Sequence, residues 1–170
     1  MKIVVCDTGP ILHLREINLF NLLDKAGKIV IPKTIDDELS GLNHSWGRGR
    51  PDWIMVQELP EQAAYEASGL YGAGLLHTGE AEAIVLAQHL AADWFLTDDT
   101  SARTFAGVLG LEVHGTLGIL LWGAALRHLE YHEARRAIKR LSGSTLWISQ
   151  NILQKAYRVL DDLFATNQNL

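Results

Sequence analysis

Five short apolar runs, most of them followed by a segment with helical periodicity, mark out the first three quarters of the chain. Residues 2–6, 28–31, 54–59, 93–98 and 111–114 are short and bounded by polar or turn residues, which predicts strands. Between them, residues 10–25 carry leucine and isoleucine at helical spacing and predict two short helices. Residues 34–39, 60–71, 78–91, 100–109 and 116–126 predict one helix each. Strands alternating with helices predict an α/β fold with a parallel sheet covered on both faces. The tail differs. Residues 131–141 form a basic amphipathic pattern with Arg135, Arg136, Lys139 and Arg140. Residues 149–164 place Ile152, Leu153, Ala156, Leu160 and Leu163 on one helical face. The reading is one domain over 1–170, with a core over 1–125 and a C-terminal helical extension over 126–170.

Acids recur where predicted strands end. Asp7 closes the first strand, and Thr8-Gly9-Pro10 predicts a tight turn into a helix with Pro10 at its start. In open α/β sheets that carboxyl edge is where ligands bind. After the second strand, Ile35, Glu38 and Leu39 share one helical face, while Asp36 and Asp37 are expected to point elsewhere. Glu38 either meets a cation or donor there or sits at the rim with its head in water. In 78–91, capped by Thr78 or Gly79, Glu80 lies in the stripe of Ala83, Ile84, Ala87 and Ala91. Glu82 lies opposite and is expected to be the more exposed. A helix joining parallel strands runs antiparallel to them, so its N-terminus belongs at the edge where Asp7, Asp98 and Asp99 end. Glu38 belongs there too. Arg103 follows on the next helix, placed either to meet a phosphate or to pair with Asp99. Residues 41–53 (GLNHSWGRGRPDW) predict a loop. Its Arg48, Arg50, Trp46 and Trp53 suit phosphate contact and base stacking. The same residues equally suit a surface loop with a tryptophan anchored in the core.

Composition narrows the class. Hydrophobic residues are 48% and charged residues 21%, as in ordinary globular proteins. One cysteine excludes an internal disulfide framework and points to a reducing cytoplasm. No signal peptide is evident, and apolar runs stop well short of the ~20 residues that span a bilayer. A formal net charge of −5 argues against binding nucleic acid by charge alone. It leaves room for a nuclease whose acids are masked by metal ions.

Carboxylates gathered at one edge repel and raise one another's pKa. Hard divalent cations resolve the conflict, because Mg²⁺ prefers oxygen ligands. Two such ions about 3.5–4 Å apart activate a water and stabilise the leaving oxygen of a phosphodiester. The chain then resembles a known family in four places: Asp7-Thr8 after the first strand, the Pro-x-x-Ile-x-x-Glu-Leu run at 32–39, Gly-Glu-Ala-Glu-Ala-Ile at 79–84, and Leu-Thr-Asp-Asp at 96–99. Together these resemble a PIN domain, nearest to the PIN-like proteins related to VapC-type toxins, over about residues 1–125. The resemblance implies a three-layer α/β/α sandwich and a Mg²⁺- or Mn²⁺-dependent endoribonuclease. It further implies an RNA substrate, an antitoxin protein as partner and a homodimer. It assigns the metal-binding, catalytic acids to Asp7, Glu38, Glu80 and either Asp98 or Asp99. Thr8 takes the family's hydroxyl position, and Glu82 and Arg103 are candidate supporting residues.

Other readings are weaker. A non-catalytic PIN-like protein that binds only RNA or a partner is disfavoured by the complete set of acids. A phosphoaspartyl enzyme with Asp7 as nucleophile would need a second acid two residues on, where Gly9 stands. His128 and His132 lack the glutamate placement of a zinc hydrolase. Cys6 is expected to be a small core residue.

Overall fold

A computed structural model describes residues 1–165; the last five residues of the expected C-terminal extension, 166–170, lie outside the described residues. The element order is β1 (Ile3–Cys6), α1 (Thr8–Glu16), α2 (Leu22–Ala26), β2 (Lys28–Pro32), α3 (Lys33–Leu42), α4 (Trp46–Gly49), β3 (Ile54–Gln57), α5 (Glu61–Gly72), α6 (Thr78–His89), β4 (Trp94–Leu96), α7 (Thr100–Val108), β5 (Val113–His114), α8 (Thr116–Ala125), α9 (Tyr131–Ser142) and α10 (Gln150–Ala165). The five strands make one parallel sheet in the order β3-β2-β1-β4-β5. Helices cover both faces, giving an α/β/α sandwich.

Alternation along the strands sorts the core into two layers. Val4, Cys6, Ile29, Ile31, Trp94 and Leu96 face one side, against large side chains from α1, α2, α3 and the C-terminal helices. Val5, Val30 and Phe95 face the other, against alanines of α5, α6 and α7. The C-terminal helices share the first layer: Ala137, Ile138 and Leu141 of α9 and Leu153, Ala156 and Leu160 of α10 are buried with Ile119 and Leu120 of α8. The chain winds outward from β1 through β2 to β3, then returns to β4 on β1's other side. The order therefore reverses between β1 and β4, and in open α/β sheets the crevice at such a reversal is the usual ligand site.

Several local expectations change. α1 begins at Thr8, not Pro10, because the Asp7 carboxylate accepts the Thr8 N–H at 2.7 Å and caps the helix there. Proline is tolerated anywhere in the first turn, where its missing N–H has no intrahelical partner to lose. The stretch 41–53 is not all loop: α3 runs on to Leu42 and α4 follows. Its anchor is Trp46, which is fully buried and donates its indole N–H to Asp36 at 2.8 Å, while Arg50 donates to the same oxygen at 2.7 Å. Asp36 is therefore buried and bonded rather than turned outward. Trp46 and Arg50 are occupied within the fold. α6 is not amphipathic. Ala81, Ala83, Ile84, Val85, Leu86 and Ala87 are all buried, because the helix is held between the sheet and α5. On α10, Ile152 leaves the expected buried face and is 44% exposed. Among the described residues no helix is long and apolar enough to cross a membrane.

Candidate active site

At the carboxyl edge, an open cleft of about 560 Å³ is lined by Asp7, Glu38, Glu80, Asp98 and Asp99, with His13 and His77 beside them. The fold brings each acid there by a different route. Asp7 leaves β1 directly. Glu38 comes from the second turn of α3. Glu80 sits in the first turn of α6, where its carboxylate accepts the His77 N–H at 2.8 Å. The helix cap is thus His77, one residue before the expected Thr78. Asp98 and Asp99 follow β4, and Asp99 caps α7 by accepting the Ala102 N–H at 2.8 Å.

Asp7 is 6% exposed. Its two oxygens accept from the Thr8 amide at 2.7 Å and the Thr97 hydroxyl at 2.8 Å. Burial pushes its pKa up from 3.8 to about 6; those two hydrogen bonds oppose the rise, and the charges of Glu80 and Glu38 add to it. Asp98 behaves otherwise. Burial also acts to raise its pKa, yet hydrogen bonds from His13 and from Thr116 hold it below the usual carboxylate value. His13 Nδ1 lies 2.7 Å away, the Thr116 hydroxyl 2.6 Å and the Thr116 N–H 2.8 Å. The expectation that clustered acids all raise one another's pKa therefore fails for Asp98, whose carboxylate is turned to the N-terminus of α8.

Glu38 takes the rim position: it is exposed, and its carboxylate accepts the Thr8 hydroxyl at 2.7 Å. Glu82 is partly buried rather than free, because it accepts the Thr34 hydroxyl and ties α6 to α3. Arg103 does not pair with Asp99. It donates to the Thr97 carbonyl at 3.0 Å. Two glycines permit these approaches. A Cβ on Gly79 would stand 2.5 Å from Glu38 Oε1 and 2.7 Å from Ile35 Cδ1. One on Gly115 would stand 2.8 Å from Asp98 Oδ1. Among the described residues no three acid, histidine or cysteine side chains converge closely enough to form a ready ion-binding cluster. Each carboxylate of the cleft is instead turned to a protein donor.

His13, Thr97 and Thr116 were not singled out from the sequence as site residues. His13 carried one signal: it stands four residues after Gly9, on the same face of α1. Thr97 and Thr116 look like ordinary strand-end and helix-start residues, and only the fold pairs them with acids. A cavity of similar size between α9 and α10 lies away from the acids. There the Tyr131 hydroxyl donates to Asp161 at 2.7 Å.

Comparison with curated proteins and with solved structures returns no match. The model of one protein family, DUF3368, described as a PIN domain, matches residues 3–162, through α9 and into α10. That match covers nearly the whole chain, including the four stretches that resemble PIN domains and the cleft they build. The chain belongs to the PIN-domain family, whose fold is of the nuclease type.

Proposed function

We propose that this protein is an endoribonuclease that hydrolyses RNA phosphodiesters with Mg²⁺ or Mn²⁺ bound in the cleft. The observation that carries the reading is Asp7. Its carboxylate is buried, its pKa is raised to about 6, and two further acids act on it. No lysine or arginine lines the cleft among the described residues. A buried acid without a cationic partner is costly to ionise, and a divalent cation removes that cost. The acids supply only carboxylate oxygen, and His13 is taken up by Asp98; hard oxygen donors fit Mg²⁺ or Mn²⁺ rather than a softer metal.

Asp7, Glu38, Glu80 and Asp99 are the residues that would hold the metal. Asp98 accepts three hydrogen bonds on its two oxygens, from His13 and twice from Thr116, whereas Asp99 accepts one, from the α7 amide. This favours Asp99 as the fourth ligand and gives Asp98 the task of positioning His13 and α8. When bound, such ions supply Lewis acidity, lowering the pKa of a water and offsetting charge on the phosphate. Thr97 and the Thr8 amide fix the rotamer of Asp7. The Thr8 hydroxyl steadies Glu38, and Glu82 braces α6 through Thr34. Arg103 lies at the cleft's end. The resemblance to VapC-type proteins supports a toxin role within a toxin–antitoxin pair, with an antitoxin protein as partner and a homodimer as the working form.

The test is cleavage of a mixed structured and single-stranded RNA pool with Mg²⁺, Mn²⁺ or EDTA, beside Asp7→Asn. Metal-dependent cutting that disappears in the variant is the expected result. No cutting by the wild type, together with no metal binding by calorimetry, would leave a protein that only binds RNA or a partner.

A further inference from the structure

The acid cleft runs into a second groove, of about 650 Å³, bounded by α7, α8 and α10. Asp98 and Leu146 line both. The segment joining α9 to α10 makes the common wall: Thr145 and Leu146 face the acids, while Trp147 lies in the groove. This wall is fastened to α1, because the Thr145 N–H donates to Glu16 at 2.9 Å. Trp147 is 84% exposed, and its ring stacks on no other aromatic or cationic group among the described residues. An indole left open in this way is available to stack on a ligand.

Two cations share the groove. Arg103 stands where it meets the cleft, with one of its five N–H donors on the Thr97 carbonyl. Lys155 stands on α10. Neither forms an ion pair with a carboxylate among the described residues. The protein is acidic overall and its cleft more so, which leaves a polyanion little to hold it at the acids themselves. Cations and a stacking ring in the adjoining groove supply what the cleft lacks.

We propose that this groove seats a single-stranded segment of the RNA, running from the cleft past Arg103 to Lys155, with one base stacked on Trp147. The proposal rests on the nuclease reading above and deepens it. A single strand is required because paired bases hide the faces that an indole stacks on.

The experiment uses the full chain with Ca²⁺ in place of Mg²⁺, and a short fluorescein-labelled oligoadenylate read by anisotropy. Trp147→Ala is expected to weaken binding about tenfold, the size of one lost base–aromatic stack, and Trp147→Phe to stay within about threefold of wild type. Lys155→Glu is expected to weaken binding and to flatten its salt dependence. A duplex of the same length is expected to bind more weakly than the single strand. Unchanged affinity in Trp147→Ala, or no binding by the wild type, would overturn the groove. So would light scattering in which Trp147→Ala splits a dimer while RNA affinity holds, since the groove would then be a protein interface. Hydrolysis of bis(p-nitrophenyl) phosphate by the wild type with Mn²⁺ separates the two readings. Hydrolysis with an indifferent Trp147 removes the groove alone, and Trp147-dependent binding without hydrolysis removes the catalytic reading alone.

Discussion

The ends of β1 and β4 are neighbours in the sheet and alike in sequence, each an apolar strand running into an aspartate. Their surroundings are opposite. The β1 end buries Asp7 with one hydroxyl and one amide for company and two acids acting on it. The β4 end gives Asp98 a histidine, a hydroxyl and an amide. One carboxylate is pushed up to about 6 and the other is held below its ordinary value. Residue type and sheet position alone therefore do not decide what an acid does. The donors within reach decide it, and they leave the ionised form of Asp7 disfavoured while that of Asp98 is already supplied.

The largest expected effect is on activity. Asp7→Asn should lower metal-dependent RNA cleavage about a thousandfold, some 4 kcal/mol of barrier. Asp98→Asn should cost about tenfold or less, through mispositioning only. Equal losses in single-turnover assays would erase the distinction between the two ends.

Next comes stability at the β4 end. Asp98→Ala strips a largely buried site of its acceptor and orphans Thr116 and His13, so chemical denaturation should show a loss of about 3 kcal/mol. Because the pKa of Asp98 is lowered on folding, its contribution is present above the unfolded pKa. It is lost as pH falls through the folded value. A variant as stable as wild type at neutral pH would show that the bonds to Asp98 carry nothing.

The β1 end should respond with the opposite sign. A rise from 3.8 to about 6 corresponds to about 3 kcal/mol against the ionised form, and losing one good acceptor in Asn returns about 1 of these. Asp7→Asn in EDTA should therefore be about 2 kcal/mol more stable than wild type above pH 6. The gap should close as pH falls from about 6 toward 4, where wild-type Asp7 is protonated in the fold as well. Denaturation at two pH values checks this, and a destabilised variant at pH 7.5 would contradict it. The smallest effect is His13→Gln, expected to cost about 1 kcal/mol. In nuclear magnetic resonance spectra it should leave the amide of Thr8 unmoved while shifting that of Thr116.

Much of this was legible along the chain. Strand–helix alternation located the five parallel strands, because buried parallel strands read as apolar runs and their edges collect the polar residues. The acids were placed at one edge by the same logic. What stayed hidden were pairings made only in three dimensions. Asp36 was expected to face away from the core, since helical periodicity knows nothing of Trp46 and Arg50 arriving from a later turn. Glu82 was expected to be exposed because an amphipathic helix was assumed, whereas α6 is covered on nearly all sides. Asp98 and Asp99 could not be told apart by adjacency, and only the arrival of Thr116 and His13 separates them.

The interior position of β1 also has a consequence for synthesis. Its N-terminal side of the sheet, β2 and β3, lies close in sequence, but its other neighbour is β4. The bonds from the Ile3 N–H to Asp93 and from Thr97 to Asp7 each span 90 residues. Such distant pairings form late and slowly. A nascent chain that has not yet released β4 from the ribosome holds Asp7 without Thr97, and it has no second wall for the cleft. On the function proposed above, a chain built in this order stays harmless to the RNA machinery that is making it until more than half of its length has emerged.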